Sequence, residues 1–292
     1  MAIISVSRRS DVPAFYGEWF ARRLRQGTCL VRHPWRPDLA KRVDLSSEAV
    51  DGFVFWTRHP EPFLRHLDQV DRLGRPYYFF QTITGLGSAW EPRLPSLETC
   101  LDEFRRLARR LGPDRTIWRF DPVLLGRDAP PRETLARFAR LCDLLAGSTR
   151  EVVTSVVCPY AKIRKRLEKA GLELTPFEEA PESWRDLLGR LAETARANGL
   201  VMRSCAAEED LSGLGISPGR CVDAQRLAEL GGTASVHRKD PGQRPACACS
   251  ISVDIGAYNT CAHGCLYCYA NQSPALAQRN LAQHDPDSPH LA

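Results

Sequence analysis

Ser250-Ile-Ser-Val-Asp-Ile-Gly256 alternates polar and apolar residues as a strand does, and runs straight into Thr260-Cys261-Ala-His-Gly-Cys265-Leu-Tyr-Cys268-Tyr-Ala270. The second stretch places three cysteines within eight residues, spaced C-x3-C-x2-C, with Tyr267 before the last. So short a loop lets its thiols converge on one compact object. Thiolates are soft ligands that select zinc, copper(I) or iron–sulfur clusters. The strand fixes where that object stands relative to the fold, so the remaining strands have to be found first.

Candidate strands are 3–7, 52–57, 77–84, 116–120, 151–157, 201–204 and 250–255, with helical patterns between them. Phe15, Trp19 and Phe20 share one helical face, stopped by Gly27. Phe63, Leu67, Val70 and Leu73 make another, and Leu97, Leu101, Phe104, Leu107 and Leu111 a third, with Ser96 as N-cap and Gly112 as stop. Leu135, Phe138, Leu141 and Leu145 precede Gly147, and Trp184, Leu187, Leu188 and Leu191 mark a later helix. Strand–helix alternation implies right-handed crossovers and a parallel sheet, here a partial (β/α) barrel of about seven mostly parallel strands. One domain over 1–270 is expected, with 205–268 as a cysteine-rich part and 271–292 as a loosely held polar tail carrying one helix over 274–283. Segments 31–47 and 86–95 read as connections over the sheet's mouth.

The chain has 292 residues, 43% hydrophobic and 26% charged, with a scattered net charge of +5. That balance is an ordinary globular one and provides no basic groove, although nucleic acid is not excluded as a partner. Residues 1–10 lack a basic segment followed by a long apolar run, and no apolar run is long enough to span a bilayer. Eleven cysteines, an odd number without an export signal, favour metal or catalytic use over disulfides and a cytoplasmic location.

In parallel α/β folds chemistry gathers at the C-terminal strand ends. Those ends carry Arg8, Arg9, Ser10 and Asp11; Trp56 and Thr57; Gln81, Thr82 and Thr84; Arg119 and Asp121; Thr154 and Ser155; and Arg203, Ser204 and Cys205. Polar ends of this kind suit a cavity for a polar substrate, and they equally satisfy loop carbonyls. A zinc ribbon from Cys265, Cys268, Cys247 and Cys249 is one reading of the thiols, but it leaves Cys261 and His263 unused. A cubane cluster uses all three loop cysteines and leaves one iron open to a substrate or cofactor. Cys205, Cys221, Cys247 and Cys249 form a second set, suited to an auxiliary iron–sulfur cluster or zinc, with burial as ordinary small residues the plainer alternative. Cys100 and Cys142 fall in helical patterns as core residues, and His263 reads as a hydrogen-bonding residue of the loop.

The C-x3-C-x2-C loop with its aromatic resembles the signature of the radical S-adenosylmethionine (SAM) superfamily, and residues 259–270 look closest to the cluster loop of spore photoproduct lyase. Ser7-Arg-Arg-Ser-Asp-Val-Pro13, Phe55-Trp-Thr57, Trp118-Arg-Phe-Asp-Pro122 and the loop together resemble the family called domain of unknown function 1848. In the superfamily the motif follows the first barrel strand, whereas here it is near the C-terminus. A strand at 250–256 pairing beside 3–7 resolves this as a circular permutation. The resemblance implies that Cys261, Cys265 and Cys268 hold a [4Fe–4S] cluster whose open iron binds the amino and carboxylate groups of SAM. One electron from an external donor would then yield methionine and a 5′-deoxyadenosyl radical that attacks a small-molecule or nucleobase-type substrate. It places Tyr267 near the adenine. The superfamily's Gly-Gly-Glu element is missing, since the strand expected to carry it ends on Arg8, Arg9 and Asp11; Asp11 is then expected to take the amino group and Arg9 the carboxylate. Thr57 and Thr82 are further cofactor contacts, and Asp11, Arg119 and Asp121 the catalytic candidates.

Overall fold

The computed structural model describes residues 1–34, 36–158, 160–233 and 238–292. Its strands are β1 (Ala2–Val6), β2 (Thr28–His33), β3 (Arg36–Asp44), β4 (Val50–Thr57), β5 (Tyr77–Thr82), β6 (Thr116–Val123), β7 (Glu151–Val156), β8 (Val201–Ser204), β9 (Ser217–Pro218) and β10 (Val253–Asp254). Its helices are α1 (Val12–Phe15), α2 (Gly17–Gln26), α3 (Glu61–Leu64), α4 (Leu67–Arg72), α5 (Leu97–Leu111), α6 (Pro131–Leu145), α7 (Ala161–Lys169), α8 (Pro181–Ala197), α9 (Ala224–Glu229) and α10 (Pro274–Ala282).

Eight strands form one sheet in the order β10-β1-β4-β5-β6-β7-β8-β9, and every neighbouring pair is parallel. The strand before the cysteine loop therefore lies beside the first strand, with Ile4 opposite Val253 and Ser5 opposite Asp254. It is shorter than 250–255, because Ser250 turns away to bridge Lys239 and donates its N–H to Val222 O at 2.8 Å. The architecture is the expected parallel α/β, partial-barrel arrangement, with β9 as a two-residue edge too short to leave a pattern in the sequence.

Side chains alternate across each strand, so the sheet has two differently covered faces. On one, Ile4, Val6, Phe53, Phe55 and Phe79 pack against Trp19, Phe20 and Phe63 of the first helices. Phe55 and Phe79 stack there at 4.4 Å and 8°, a pairing that contributes about 0.5–1.5 kcal/mol beyond burial. Further along, Trp118, Phe120 and Val152 meet α5, α6 and α8. On the inner face Ile3, Val54, Trp56, Tyr78, Phe80, Ile117 and Val153 pack against Cys221, Val222, Ala224, Leu227, Cys247 and Cys249. The cysteine-rich segment, with the short helix α9 inside it, thus covers that face. Gly52 is required there, since a Cβ would stand 2.8 Å from Pro76 O and 2.7 Å from Leu227.

Two expectations need correction. Segment 31–47 is no plain connection: β2 and β3 form an antiparallel hairpin with Cys29 opposite Val43. Most of its residues are exposed, so it carries no apolar alternation to read; Trp35 lies outside the described residues. The tail is not loose either. Trp19 Nε1 donates to Ser288 O at 3.0 Å, Leu30 N to Pro289 O at 2.9 Å, and Leu291 is buried. Cys100 and Cys142 are buried in helices as expected. No helix among the described residues is long and apolar enough to cross a membrane.

Candidate metal centre

The cysteine loop is closed on itself and tied down on several sides. Asn259 N donates to Ala270 O at 3.1 Å, and Asn271 Nδ2 to Cys261 O at 2.6 Å. Asn259 (φ 61°) and Gly264 (φ 75°) take the left-handed conformation that lets so short a chain turn back. Arg166 of α7 donates to Cys265 O at 3.3 Å and also to Cys268 O, while Leu266 N donates to Trp90 O at 3.0 Å. Underneath, the Tyr16 hydroxyl donates to Thr260 O and Thr260 Oγ1 to Ser10 Oγ, both at 2.7 Å. The result is a rigid loop at the C-terminal ends of β10 and β1.

The three thiols lie close enough to influence one another's charge. Burial pushes Cys261 well above the ordinary thiol value, and Asp11, Cys268 and Cys265 add to it. Burial pushes Cys265 up to about 12, against the Arg58 cation, which pulls it down. Burial thus favours the protonated form of both thiols. Among the described residues, no set of three or more His, Cys, Asp or Glu side chains stands in a metal-holding arrangement. The donor chemistry nonetheless fits an iron–sulfur group: three soft sulfurs, no oxygen ligand on the loop, and Arg58 and Arg166 near Cys265 to offset the charge of the thiolates.

Asp11, expected to take a SAM amino group, is engaged by groups of the chain itself. Its carboxylate caps α1 through Ala14 N (3.0 Å), accepts from Arg58 N (2.7 Å) and pairs with His263 Nε2 (2.8 Å), and the residue is 5% exposed. It anchors the loop through His263, which has the hydrogen-bonding role its position suggested. Arg9 is committed to Asp254, donating Nε to Oδ1 at 3.0 Å and Nη2 to the backbone oxygen at 2.7 Å. Thr57 Oγ1 accepts from His59 N at 3.0 Å, and Thr57 is buried. Thr82 lines a cavity of about 220 Å³ with Thr84 and Glu91, a cavity that no cysteine of the loop lines. Tyr267 is turned into the core: its hydroxyl meets Glu91 and accepts from Arg58 Nη2 at 2.6 Å, contacts that tie the loop to the sheet.

Sequence reading missed this group and one other. Arg58 Nη1 donates to Glu91 at 2.6 Å, and Thr84 donates to the same carboxylate at 2.7 Å. Asp254 accepts from Ser5 Oγ and Ser7 Oγ at 2.6 Å, from Arg8 N at 2.8 Å and from Gly256 N at 3.0 Å. Burial opposes its charge, but Arg9, Arg8 and the two serines together hold its pKa below the usual carboxylate value. One buried carboxylate thus clamps the last strand to the first. Nothing local marks Asp254 as such a clamp, because its serine and arginine partners lie some 245 residues away.

Arg119 and Asp121 pair with each other at the end of β6, and Ser155 donates to Asp121. Burial opposes the Arg119 charge, but Asp121, Cys221 and Cys205 outweigh it and raise the pKa. Arg119 Nη1 stands 3.7 Å from Cys221 Sγ. The second set of cysteines does come together: Cys221 Sγ donates to Cys205 Sγ at 3.5 Å, and Cys249 is within hydrogen-bonding reach of both Cys221 and Cys247. None of these contacts involves the loop, so the structure keeps the two sets as separate groups.

Fold and site define a parallel α/β protein with a rigid three-cysteine loop at the strand ends. The chain belongs to the family described as domain of unknown function (DUF1848), whose family model matches residues 3–270. No curated protein matches it.

Proposed function

We propose that the chain is a radical SAM-type iron–sulfur enzyme, with Cys261, Cys265 and Cys268 as ligands of a [4Fe–4S] cluster. The observation that carries this reading is the closed loop that brings Cys261, Cys265 and Cys268 together at the C-terminal end of β10, the strand beside β1. When bound, the cluster and SAM would supply a 5′-deoxyadenosyl radical for hydrogen abstraction. The chain's own share is placement and exclusion of water. Asp11 and His263 fix the loop from below, Arg166 from the side, and Arg58 with Tyr267 and Glu91 from within. Arg119, Asp121 and Ser155 offer a polar end to a small-molecule or nucleobase-type substrate. Basic residues of α7 (Lys162, Arg164, Lys165, Arg166) flank the loop and suit an acidic electron donor.

The test is anaerobic reconstitution with iron and sulfide, followed by SAM and dithionite. Release of 5′-deoxyadenosine, read by mass spectrometry, is the expected result. Cys265→Ala should abolish both the iron at the loop and that product while the far-ultraviolet circular dichroism is retained. A colourless protein that takes up zinc and no iron would overturn the reading.

A further inference from the structure

The four cysteines outside the loop come from three separate pieces of chain. Cys205 follows β8, Cys221 follows β9, and Cys247 with Cys249 precede β10. Since β9 and β10 are the two edges of the sheet, these thiols stand where its open ends approach each other. The backbone already crosses that seam, through Ser250 N to Val222 O at 2.8 Å and Ala224 N to Ser250 Oγ at 3.1 Å.

We propose that Cys205, Cys221, Cys247 and Cys249 bind a single zinc ion as a tetrathiolate centre that closes the seam between the two edges of the sheet. Spacing separates zinc from a cluster. Tetrahedral Zn–S bonds of about 2.3 Å put neighbouring sulfurs about 3.8 Å apart. A cubane assigns one iron to each thiolate and holds the sulfurs well beyond contact. Cys205 and Cys221 stand 3.5 Å apart, and Cys221 and Cys247 each hydrogen-bond to Cys249. The three loop thiols make no such bonds with one another, which suits the larger group proposed there.

Electrostatics point the same way. Four thiolates and one Zn²⁺ carry a net charge of −2, and two arginines flank the set: Arg119 at Cys221 and Arg8 at Cys249. Each keeps a buried N–H group without a partner, Arg119 Nε and Arg8 Nη1. Buried donors left in this state favour an anionic neighbour. Without metal, the sulfurs hydrogen-bond in a chain from Cys247 through Cys249 and Cys221 to Cys205. Binding exchanges the thiol protons, which leave to solvent, for four Zn–S bonds, with no change in oxidation state.

The experiment uses the full-length triple variant Cys261→Ala/Cys265→Ala/Cys268→Ala, so that the loop cannot contribute. About one zinc per chain by plasma mass spectrometry is expected. Exchange for Co²⁺ should give the intense sulfur-to-metal charge-transfer bands of a tetrathiolate. Chelation of the zinc should speed hydrogen exchange in 217–224 and 250–254 together, the two sides of the seam. Iron with acid-labile sulfide in this variant would overturn the proposal, as would a metal-free protein in which Cys205, Cys221, Cys247 and Cys249 are each free thiols, or a Cys205–Cys221 disulfide after anaerobic purification. None of these outcomes depends on whether the loop holds a cluster.

Discussion

Replacing Asp254 by Asn keeps the shape of the side chain at the seam between β1 and β10 and removes its charge. The carboxylate is 10% exposed and faces Arg9 at 3.0 Å and Arg8 at 3.5 Å. Removing one partner of a buried ion pair costs about 3–5 kcal/mol, because the remaining charge stays buried without compensation. Arg8 has a second acceptor in Asp240 at 4.0 Å, which places the expected loss near the lower end, about 3 kcal/mol. Because the folded pKa of Asp254 is depressed, the stability it contributes is complete above about pH 4 and fades as pH falls through the folded value. Equilibrium urea unfolding of both proteins at neutral pH and at acid pH measures both effects. The difference should be about 3 kcal/mol at neutral pH and should shrink in acid. A loss below about 1 kcal/mol, or one that does not narrow as pH falls, would refute the clamp.

Two further outcomes are expected. Tyr267→Phe leaves Glu91 and Arg58 short of a buried partner and should lower stability by about 1–3 kcal/mol in thermal unfolding, with iron uptake preserved. Arg164→Glu with Lys165→Glu, two exposed positions of α7, should slow reduction by an acidic electron-transfer protein on the order of tenfold at low salt. Reduction by dithionite should be unaffected, and equal slowing with both reductants would remove α7 as the docking face.

The sheet was legible because parallel, doubly covered strands write themselves as short apolar runs. Phe53 and Phe55 pack on one side of β4, Val54 and Trp56 on the other, and the run could hardly be missed. The cysteine loop was legible because ligand spacing is local. What could not be read was long-range or lacked apolar content. Asp11 has the look of a ligand at a strand end, and only the fold reveals that Arg58 and His263 occupy its oxygens. Glu91, in a loop of mixed composition, becomes the partner of Arg58 only once β4 and β5 lie side by side. The hairpin of β2 and β3 has almost no apolar face, and its pairing rests on backbone hydrogen bonds that the sequence does not display.

The place of β10 also fixes an order of events during synthesis. All other strands of the sheet precede residue 219, whereas the cysteine loop follows β10. On the ribosome, the scaffold is therefore nearly complete before any of the three loop thiols emerges. The three loop thiols are thus among the last parts of the chain to be made, and a translation product cut short before residue 261 lacks them.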